Sequence, residues 1–368
     1  MKRTLGAAAA LLLATSSACS AVDVAEALPY GTRSEDCAGC HAEHAREWSG
    51  SAHSRSAASP VFAAMLPVVE SAWGRIARQR CVKCHSPGHG GDDGIGCAAC
   101  HGAVGNQAER DGMLAVDLSQ ALAGPLGHAA VGTDAHRSAP RGLLASESLC
   151  GTCHEVTGPA LLREPTLGEY RASPEAAAGL TCIDCHAPYG EDRALTSDTP
   201  PRASRSHAFV GFDPPWDSSP EEAAAAAEAT RTLLASALSL RIETRPDGAR
   251  EVVVENVGAG HRVPTGAAFL RDLWVDVELD GVLFPLILRI GDQPLRGGQP
   301  VPLLTDADEV RVGSLGPGEM ARATLPPAMH VVAHLRARAI RAEVLTALGI
   351  AALASQIPTH EIGTAATD

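Results

Sequence analysis

Five copies of one short pattern constrain this sequence more than any other feature. Ten of the eleven cysteines form pairs with two residues between them, and a histidine directly follows each pair. The five copies are Cys37-Ala-Gly-Cys40-His41, Cys81-Val-Lys-Cys84-His85, Cys97-Ala-Ala-Cys100-His101, Cys150-Gly-Thr-Cys153-His154 and Cys182-Ile-Asp-Cys185-His186. This is the attachment pattern of c-type haem: the two thiols form thioethers with one porphyrin, and the adjacent imidazole binds its iron as the proximal ligand. The pattern therefore predicts five covalently bound haems.

Three other interpretations explain cysteine pairs but leave the histidines unexplained. A disulfide framework suits an exported protein but does not require a histidine after every pair. Zinc knuckles use this spacing but favour reducing compartments and usually combine two pairs on one ion. A thioredoxin-like redox pair would be single and would lie in a βαβ unit. Haem attachment is therefore the interpretation that we adopt.

The composition agrees with a cofactor-filled core. The 368 residues are 45% hydrophobic and 20% charged, as in ordinary globular proteins, but Phe, Tyr and Trp together make up only 3%. Large side chains are thus scarce for a core of this size. Because all five motifs lie within residues 37–186, we expect the porphyrins to pack against one another and to occupy that volume.

The N-terminal residues resemble an export signal. Lys2 and Arg3 precede the apolar run 5–14, which ends in small residues, as in a secretory signal peptide. The run is shorter than the roughly 20 residues needed to span a bilayer. Cys19, the one cysteine outside the motifs, resembles a lipoprotein acceptor; plain cleavage and release is the alternative. We predict an exported protein of the periplasm or outer membrane, lipidated at Cys19.

The sequence segments around the motifs resemble those of a known family. Residues 37–53, where Trp48, Ser49 and His53 follow the first motif, are similar to the first haem segment of cytochrome c-554-type proteins. Residues 94–102 and 179–188 resemble further haem segments of the same group. The resemblance covers most of residues 37–215. It implies a mostly helical fold with stacked and angled haem pairs, related to the haem cores of pentahaem nitrite reductases and octahaem hydroxylamine oxidoreductases.

Each iron needs a sixth ligand if it is to be closed to substrates, and a second imidazole is the usual choice in electron carriers. Four histidines outside the motifs are predicted as such ligands: His53, His136, His207 and His261. The resemblance favours the first three. His261 lies in a glycine-rich segment far beyond the motifs, which also occurs in relatives that append a β-domain. A surface or turn histidine is the alternative for each. His89 and His128 are weaker candidates for the remaining haem, and His44 is expected to face solvent.

The pattern changes after the haem region. Prolines 214, 215 and 220 mark a linker, and an Ala-rich run to about residue 240 predicts a helix. Alternating or continuous apolar stretches then predict strands at 250–257, 270–279, 282–290 and 329–338, with a late helix at 341–350. The predicted fold class is α+β: a mostly helical, loop-rich pentahaem domain followed by an antiparallel β-sandwich-like domain. The predicted boundaries are 1–18 (signal peptide), 19–36 (tether), 37–215 (pentahaem domain), 216–240 (linker helix) and 241–368 (β-domain).

The sequence lacks the residues that are typical of two related classes of enzyme. Pentahaem nitrite reductases carry a lysine in place of the histidine of one motif, but here all five motifs end in histidine and Lys83 lies inside its motif. Hydroxylamine oxidoreductases cross-link a tyrosine to the catalytic haem, and none of the three tyrosines lies in a recognisable segment of that kind. We therefore assign no catalytic residue and favour electron transfer over enzymatic activity. A haem-based reductase or oxidoreductase acting on a small nitrogen oxide at one open-site haem is the alternative, and a filament-forming extracellular cytochrome is a third hypothesis.

The net charge of the chain limits the kinds of partner that it can bind. The formal charge of −13, to which haem propionates add, makes nucleic acid an unsuitable partner. The expected partners are redox proteins such as other cytochromes or quinol oxidoreductases, a haem lyase during maturation, and a membrane through the lipid anchor.

Overall fold

The structure of the chain is a computed structural model, which describes residues 33–87, 93–124, 136, 138–139, 142–190, 201–214 and 216–367. The predicted signal peptide, Cys19, His89 and His128 lie outside these residues. Within the described ranges, no helix is long and apolar enough to cross a membrane.

The N-terminal part is built from short helices joined by loops. Its helices are α1 (Ser34–Ala38), α2 (Ala42–Ser49), α3 (Pro60–Trp73), α4 (Arg75–His85), α5 (Cys97–His101), α6 (Glu147–His154), α7 (Thr166–Arg171), α8 (Pro174–Ala177) and α9 (Cys182–His186). Two small strand pairs accompany them: β1 (Ala103–Asn106) with β2 (Leu114–Val116), and β3 (Leu122–Ala123) with β4 (Ser138–Ala139). A 3-10 turn covers Gly142–Ala145.

The haem motifs coincide with helix ends. The second to fifth motifs form the last residues of α4, α5, α6 and α9, and the first motif begins in α1. In a helix, residues three and four positions apart lie on the same face, so the two thiols and the imidazole of one motif are presented together. The local geometry of each motif therefore follows directly from its spacing.

A longer helix joins the two parts of the molecule. Helix α10 (Pro220–Ala237) begins with a capping box, in which the Ser219 hydroxyl accepts from the backbone N–H of Glu222 and the Glu222 carboxylate accepts from that of Ser219. The predicted helix was expected to reach about residue 240. It ends earlier because Leu238 already pairs with Asn256 in a sheet.

The C-terminal part contains two facing antiparallel sheets and one small sheet. Its strands are β5 (Leu238–Thr244), β6 (Arg250–Asn256), β7 (Asp272–Leu279), β8 (Val282–Ile290), β9 (Gln293–Arg296), β10 (Gln299–Pro300), β11 (Glu309–Arg311), β12 (Met320–Thr324), β13 (Val331–Arg338) and β14 (Thr359–Ala366). The sheet orders are β12-β6-β5, β14-β13-β7-β8 and β10-β9-β11. Helix α11 (Ala342–Ala347) and 3-10 turns at Ala268–Leu270, Leu304–Asp306 and Ala351–Gln356 complete this part.

The core of the C-terminal part lies between the two larger sheets. Strand β13 alternates buried and half-buried residues along its whole length, as expected for a strand with one face on a core. Its inward side chains meet those of β6 and β7, which include Val252, Val254 and Val275, all fully buried. The predicted sandwich-like arrangement, and with it the α+β fold class, is therefore confirmed.

A second apolar cluster joins the two parts. Val61 of α3 and Trp216 pack against C-terminal residues that include Ile340 and Leu345. The haem-region helices therefore pack directly against the sandwich.

Candidate haem-binding site

One large cavity collects the residues that the sequence singles out. It has a volume of about 2290 Å³ and is lined by cysteines and the histidine of all five motifs. Pockets that hold one drug-sized ligand measure about 300–1,000 Å³, so this cavity has room for several large groups. The C-terminal part contributes to the same wall through His261, Arg271 and Leu273.

Four of the five motif histidines have a second histidine ring opposite them. If two imidazoles bind one iron at about 2 Å each, their ring centroids are about 6.3 Å apart. The observed centroid distances are 6.3 Å for His41–His136, 6.4 Å for His154–His53, 6.3 Å for His101–His207 and 6.2 Å for His186–His261. The structure thus brings all four histidines predicted as sixth ligands to the spacing that shared iron ligation requires. Their ligation of iron remains a prediction.

Hydrogen bonds orient several of these rings. A carbonyl oxygen can only accept, so an Nδ1 atom next to one must donate, which leaves Nε2 free to bind a metal. The Nδ1–carbonyl distances are 3.0 Å for His85 to Ser56, 2.7 Å for His101 to Ala123, 2.7 Å for His186 to Val210, 3.1 Å for His207 to Arg205 and 2.9 Å for His261 to Arg262. Each of these rings is held in the tautomer that iron ligation needs.

Burial favours the neutral form of three cavity histidines, His53, His154 and His207. Burial, with a smaller contribution from the neighbouring His154 and His186, lowers the pKa of His53 to about 4. The pKa of His154 is lowered to about 4 for the same reasons, and that of His207 likewise. Only the neutral imidazole has a free lone pair for a metal, so the protein interior favours the ligating form.

Thiols of different motifs lie next to one another. All ten described cysteines are free of disulfides, so the described region contains no disulfide framework. The neighbouring thiol of Cys97 raises the pKa of Cys37, that of Cys84 raises the pKa of Cys153, and that of Cys182 raises the pKa of Cys150. The first motif therefore adjoins the third, and the fourth adjoins both the second and the fifth.

The second motif differs from the other four. The ring of its histidine, His85, stacks on Phe62 at a centroid distance of 3.9 Å and an interplanar angle of 6°. Among the described residues, no histidine ring lies opposite His85 at the spacing found for the other motifs. The two weaker ligand candidates, His89 and His128, lie outside the described residues.

The side chain of Arg55 indicates whether the cavity is suited to haem. Arg55 lines the cavity, and its Nη1 atom is buried without a hydrogen-bond partner in the structure. A buried guanidinium nitrogen without an acceptor is costly, and a carboxylate is its best partner. Haem carries two propionate carboxylates. Arg55 is therefore suited to hold a propionate, and the cavity fits the cofactor that the motifs require.

The loop that carries His261 is docked onto the haem region. The backbone N–H of Arg262 donates to the Glu169 carboxylate at 3.0 Å, and the hydroxyls of Thr265 and Thr166 lie 2.7 Å apart. Within the C-terminal part, the Asn256 side-chain amide donates to the His261 carbonyl at 2.9 Å. His261 is thus held from both sides.

Sequence reasoning missed some cavity residues. His44, expected to face solvent, is half-buried, lines the cavity and lies 4.4 Å from His207 between ring centroids. It is only three residues beyond His41, so it cannot reach the opposite face of a porphyrin that His41 ligates. Glu164, Asp213 and Arg271 also line the cavity, and no motif points to them.

Comparisons with known proteins find a similar family and a similar fold. The family described as cytochrome c554 and c-prime matches residues 36–102. No curated protein matches the chain. The crystal structure of a penta-heme cytochrome c552 from Thermochromatium tepidum superposes with a TM-score of 0.65 at 18% identity, covering 91% of this chain and 98% of that one. The resemblance to multihaem c-type cytochromes of the c554 type is confirmed, and the structural match supports the fold.

Proposed function

We propose, from the resemblance to multihaem c-type cytochromes, that this protein is an exported electron-transfer protein with five covalently bound c-type haems, one on each motif. Haem iron supplies one-electron redox chemistry, and an iron between two imidazoles has no free position for a substrate. The observation that carries the proposal is the set of four histidine pairs at 6.2–6.4 Å around one cavity. Its partners are then other redox proteins.

Haem stoichiometry tests this proposal most directly. Produced with c-type cytochrome maturation, the chain should carry five haems by mass and by pyridine haemochrome absorbance. None should be released by acid–acetone, because thioether bonds resist it. Replacing both thiols of one motif, as in Cys150→Ser with Cys153→Ser, should remove one haem. The control is His330→Ala, an exposed residue of the C-terminal part that lies outside the motifs and should keep all five haems. A chain with fewer than five covalent haems would contradict the proposal.

A second function is favoured by the second motif. Because no described histidine lies opposite His85, its iron is the candidate for an open position that binds a small molecule such as a nitrogen oxide. Electron paramagnetic resonance of the oxidised protein should then show one high-spin iron beside four low-spin irons. Adding nitric oxide should change only the high-spin signal. Five low-spin irons would rule out this second function and leave electron transfer.

Export and anchoring form a separate part of the proposal. The charged start, short apolar run and small residues before Cys19 support secretion and lipidation, followed by a periplasmic or outer-membrane location. A Cys19→Ala variant should become soluble in the periplasm or fail to mature. Membrane association that is unchanged in this variant would exclude the lipid anchor.

A further inference from the structure

The ring of Phe209 lies between two histidines that belong to different haems. Its centroid is 4.9 Å from that of His53 and 5.7 Å from that of His207. These histidines lie opposite His154 of the fourth motif and His101 of the third motif. Both distances fall within the range over which aromatic rings pack in direct contact. Phe209 therefore contacts the predicted sixth ligands of two haems, the third and the fourth in the order of their motifs.

The backbone next to Phe209 is fixed along the fifth motif. Segment 204–210 runs antiparallel to residues 186–190. Three backbone hydrogen bonds join the two segments: Gly190 N–H to the Ser204 carbonyl at 3.0 Å, Ser206 N–H to the Pro188 carbonyl at 2.9 Å and Val210 N–H to the His186 carbonyl at 3.1 Å. The Nδ1 atom of His186 lies 2.7 Å from the Val210 carbonyl, so this segment also orients the proximal ligand of the fifth haem.

The other neighbour of Phe209, His207, is fixed from a different side. Its backbone N–H donates to the Glu47 carboxylate of α2 at 2.8 Å, and its Nδ1 atom lies 3.1 Å from the Arg205 carbonyl. Between the fixed residues His207 and Val210, the backbone of Phe209 has a φ of 42°. A bulky residue rarely adopts this left-handed conformation, which persists only where the surroundings impose it. The contacts on both sides therefore determine where the Phe209 ring lies.

His53 depends on Phe209 more than the other predicted ligands do. An imidazole bound to iron through Nε2 can still rotate about the iron–nitrogen bond, and a hydrogen bond at Nδ1 restricts that rotation. Among the described residues, none forms a hydrogen bond with the His53 ring; only its carbonyl accepts, from Ser56 and Ile95. The ring of Phe209 contacts the His53 ring at an interplanar angle of 51°. This contact can hold the imidazole plane where no hydrogen bond does.

We propose that Phe209 is a positioning residue for two haems: it fixes the imidazole planes of His53 and His207 and so sets the ligand geometry of the fourth and third haems together. This inference rests on the proposed function. The angle between the two imidazole planes on one iron determines how its d orbitals split, and this splitting sets the g values of a low-spin ferric haem. A change in either plane is therefore visible by electron paramagnetic resonance.

The two haems should give different signals in the wild type. The planes of His101 and His207 differ by 8°, whereas those of His154 and His53 differ by 48°. Nearly parallel planes give a less anisotropic signal than strongly inclined planes. We therefore expect the largest g value of the fourth haem to exceed that of the third.

The test compares the five-haem protein with Phe209→Leu, which keeps an apolar side chain but removes the flat ring. Two further variants assign the signals: His207→Ala and His53→Ala should each convert one iron to high-spin and remove the low-spin signal of the third or the fourth haem. The matched control is Phe62→Leu. Phe62 also lines the cavity and packs on a histidine ring, but that ring is His85 of the second motif.

The expected result is a shift in the largest g values of both the third and the fourth haem in Phe209→Leu, with every low-spin iron of the wild type still low-spin. Phe62→Leu should leave these two signals in place. Unchanged signals in Phe209→Leu, a shift of only one of the two, or an equal shift of every low-spin signal would overturn the inference.

Haem counts and the assignment variants keep this result apart from the proposed function. A failure of that function appears as missing haems, or as no new high-spin iron in His53→Ala and His207→Ala. A failure of the present inference appears in a chain that carries all five haems. If Phe209→Leu does not assemble, Phe209→Gly replaces it, because glycine adopts a positive φ without strain and also removes the ring. Unshifted signals in Phe209→Gly would likewise overturn the inference.

Discussion

The haem region and the C-terminal sandwich build their interiors from different materials. Most of the buried apolar residues of the haem region are alanines, and Val61, Val69 and Leu167 are its largest buried aliphatic side chains. The sandwich buries many branched side chains completely, among them Leu273, Leu335 and Ile290. The first region leaves its volume for a cofactor, whereas the second fills its volume with its own residues. The stability of the haem region should therefore depend on bound haem, whereas that of the sandwich should depend on the packing of its own side chains.

The largest expected effect follows from withholding haem. When the full chain is produced without c-type maturation, the haem region should fail to fold, because a cavity of about 2290 Å³ cannot be closed by the available side chains. The sandwich should keep its β-structure. Limited proteolysis with mass spectrometry should recover a protected fragment close to residues 238–367, and circular dichroism should retain its strand signal.

Protection of the whole apo chain would contradict the expected difference between the two regions, because the haem region would then have a core of its own. Loss of every fragment would also contradict it, because the sandwich would then depend on the haems as well. The fully loaded chain, digested under the same conditions, is the control.

A smaller effect is expected from a cavity in the sandwich. Leu335 is fully buried between the two sheets, so Leu335→Ala should lower the free energy of unfolding of the sandwich by about 2–5 kcal/mol. The haem count and the absorption spectrum should not change. Chemical denaturation followed by far-ultraviolet circular dichroism measures the loss. Leu283→Ala is the matched control, since Leu283 is 52% exposed and its loss should cost within about 0.5 kcal/mol. A loss of haem in Leu335→Ala would show that the two interiors are not independent.

The smallest expected effect concerns the one predicted ligand that crosses between the regions. His261→Ala should convert one low-spin iron to high-spin and loosen the contact between the loop and the haem region, because His261 lies opposite His186 at 6.2 Å. Electron paramagnetic resonance counts the irons, and proteolysis near residue 220 reports the loosening. His330→Ala is the control, because His330 is exposed on the sandwich and should leave all signals unchanged. An unchanged spin ratio in His261→Ala would make His261 a turn residue.

The α+β fold class was predictable because its signals are local. Strands predicted at 250–257 and 282–290 correspond to β6 and β8, where apolar and β-branched residues follow the strand pattern. Strands β5 and β14 were not predicted. β5 directly continues an Ala-rich helix, and only its pairing with β6 makes Leu238–Thr244 a strand. Tertiary pairing outweighs local propensity at such positions.

The sequence by itself predicted which residues attach haem, because the attachment pattern places two thiols and the imidazole of the proximal ligand within five consecutive residues, and this spacing is a property of the chain alone. The resemblance to known cytochromes favoured His53, His136 and His207 as candidates, and its glycine-rich segment made His261 a fourth, but neither indicated the motif that each one faces. Only the tertiary structure places His53 opposite His154 and leaves His85 stacked on Phe62. Only it brings Glu164 into one cavity with Asp213 and Arg271. These groups are far apart in the chain, and burial and through-space charge act on distances that no local spacing encodes.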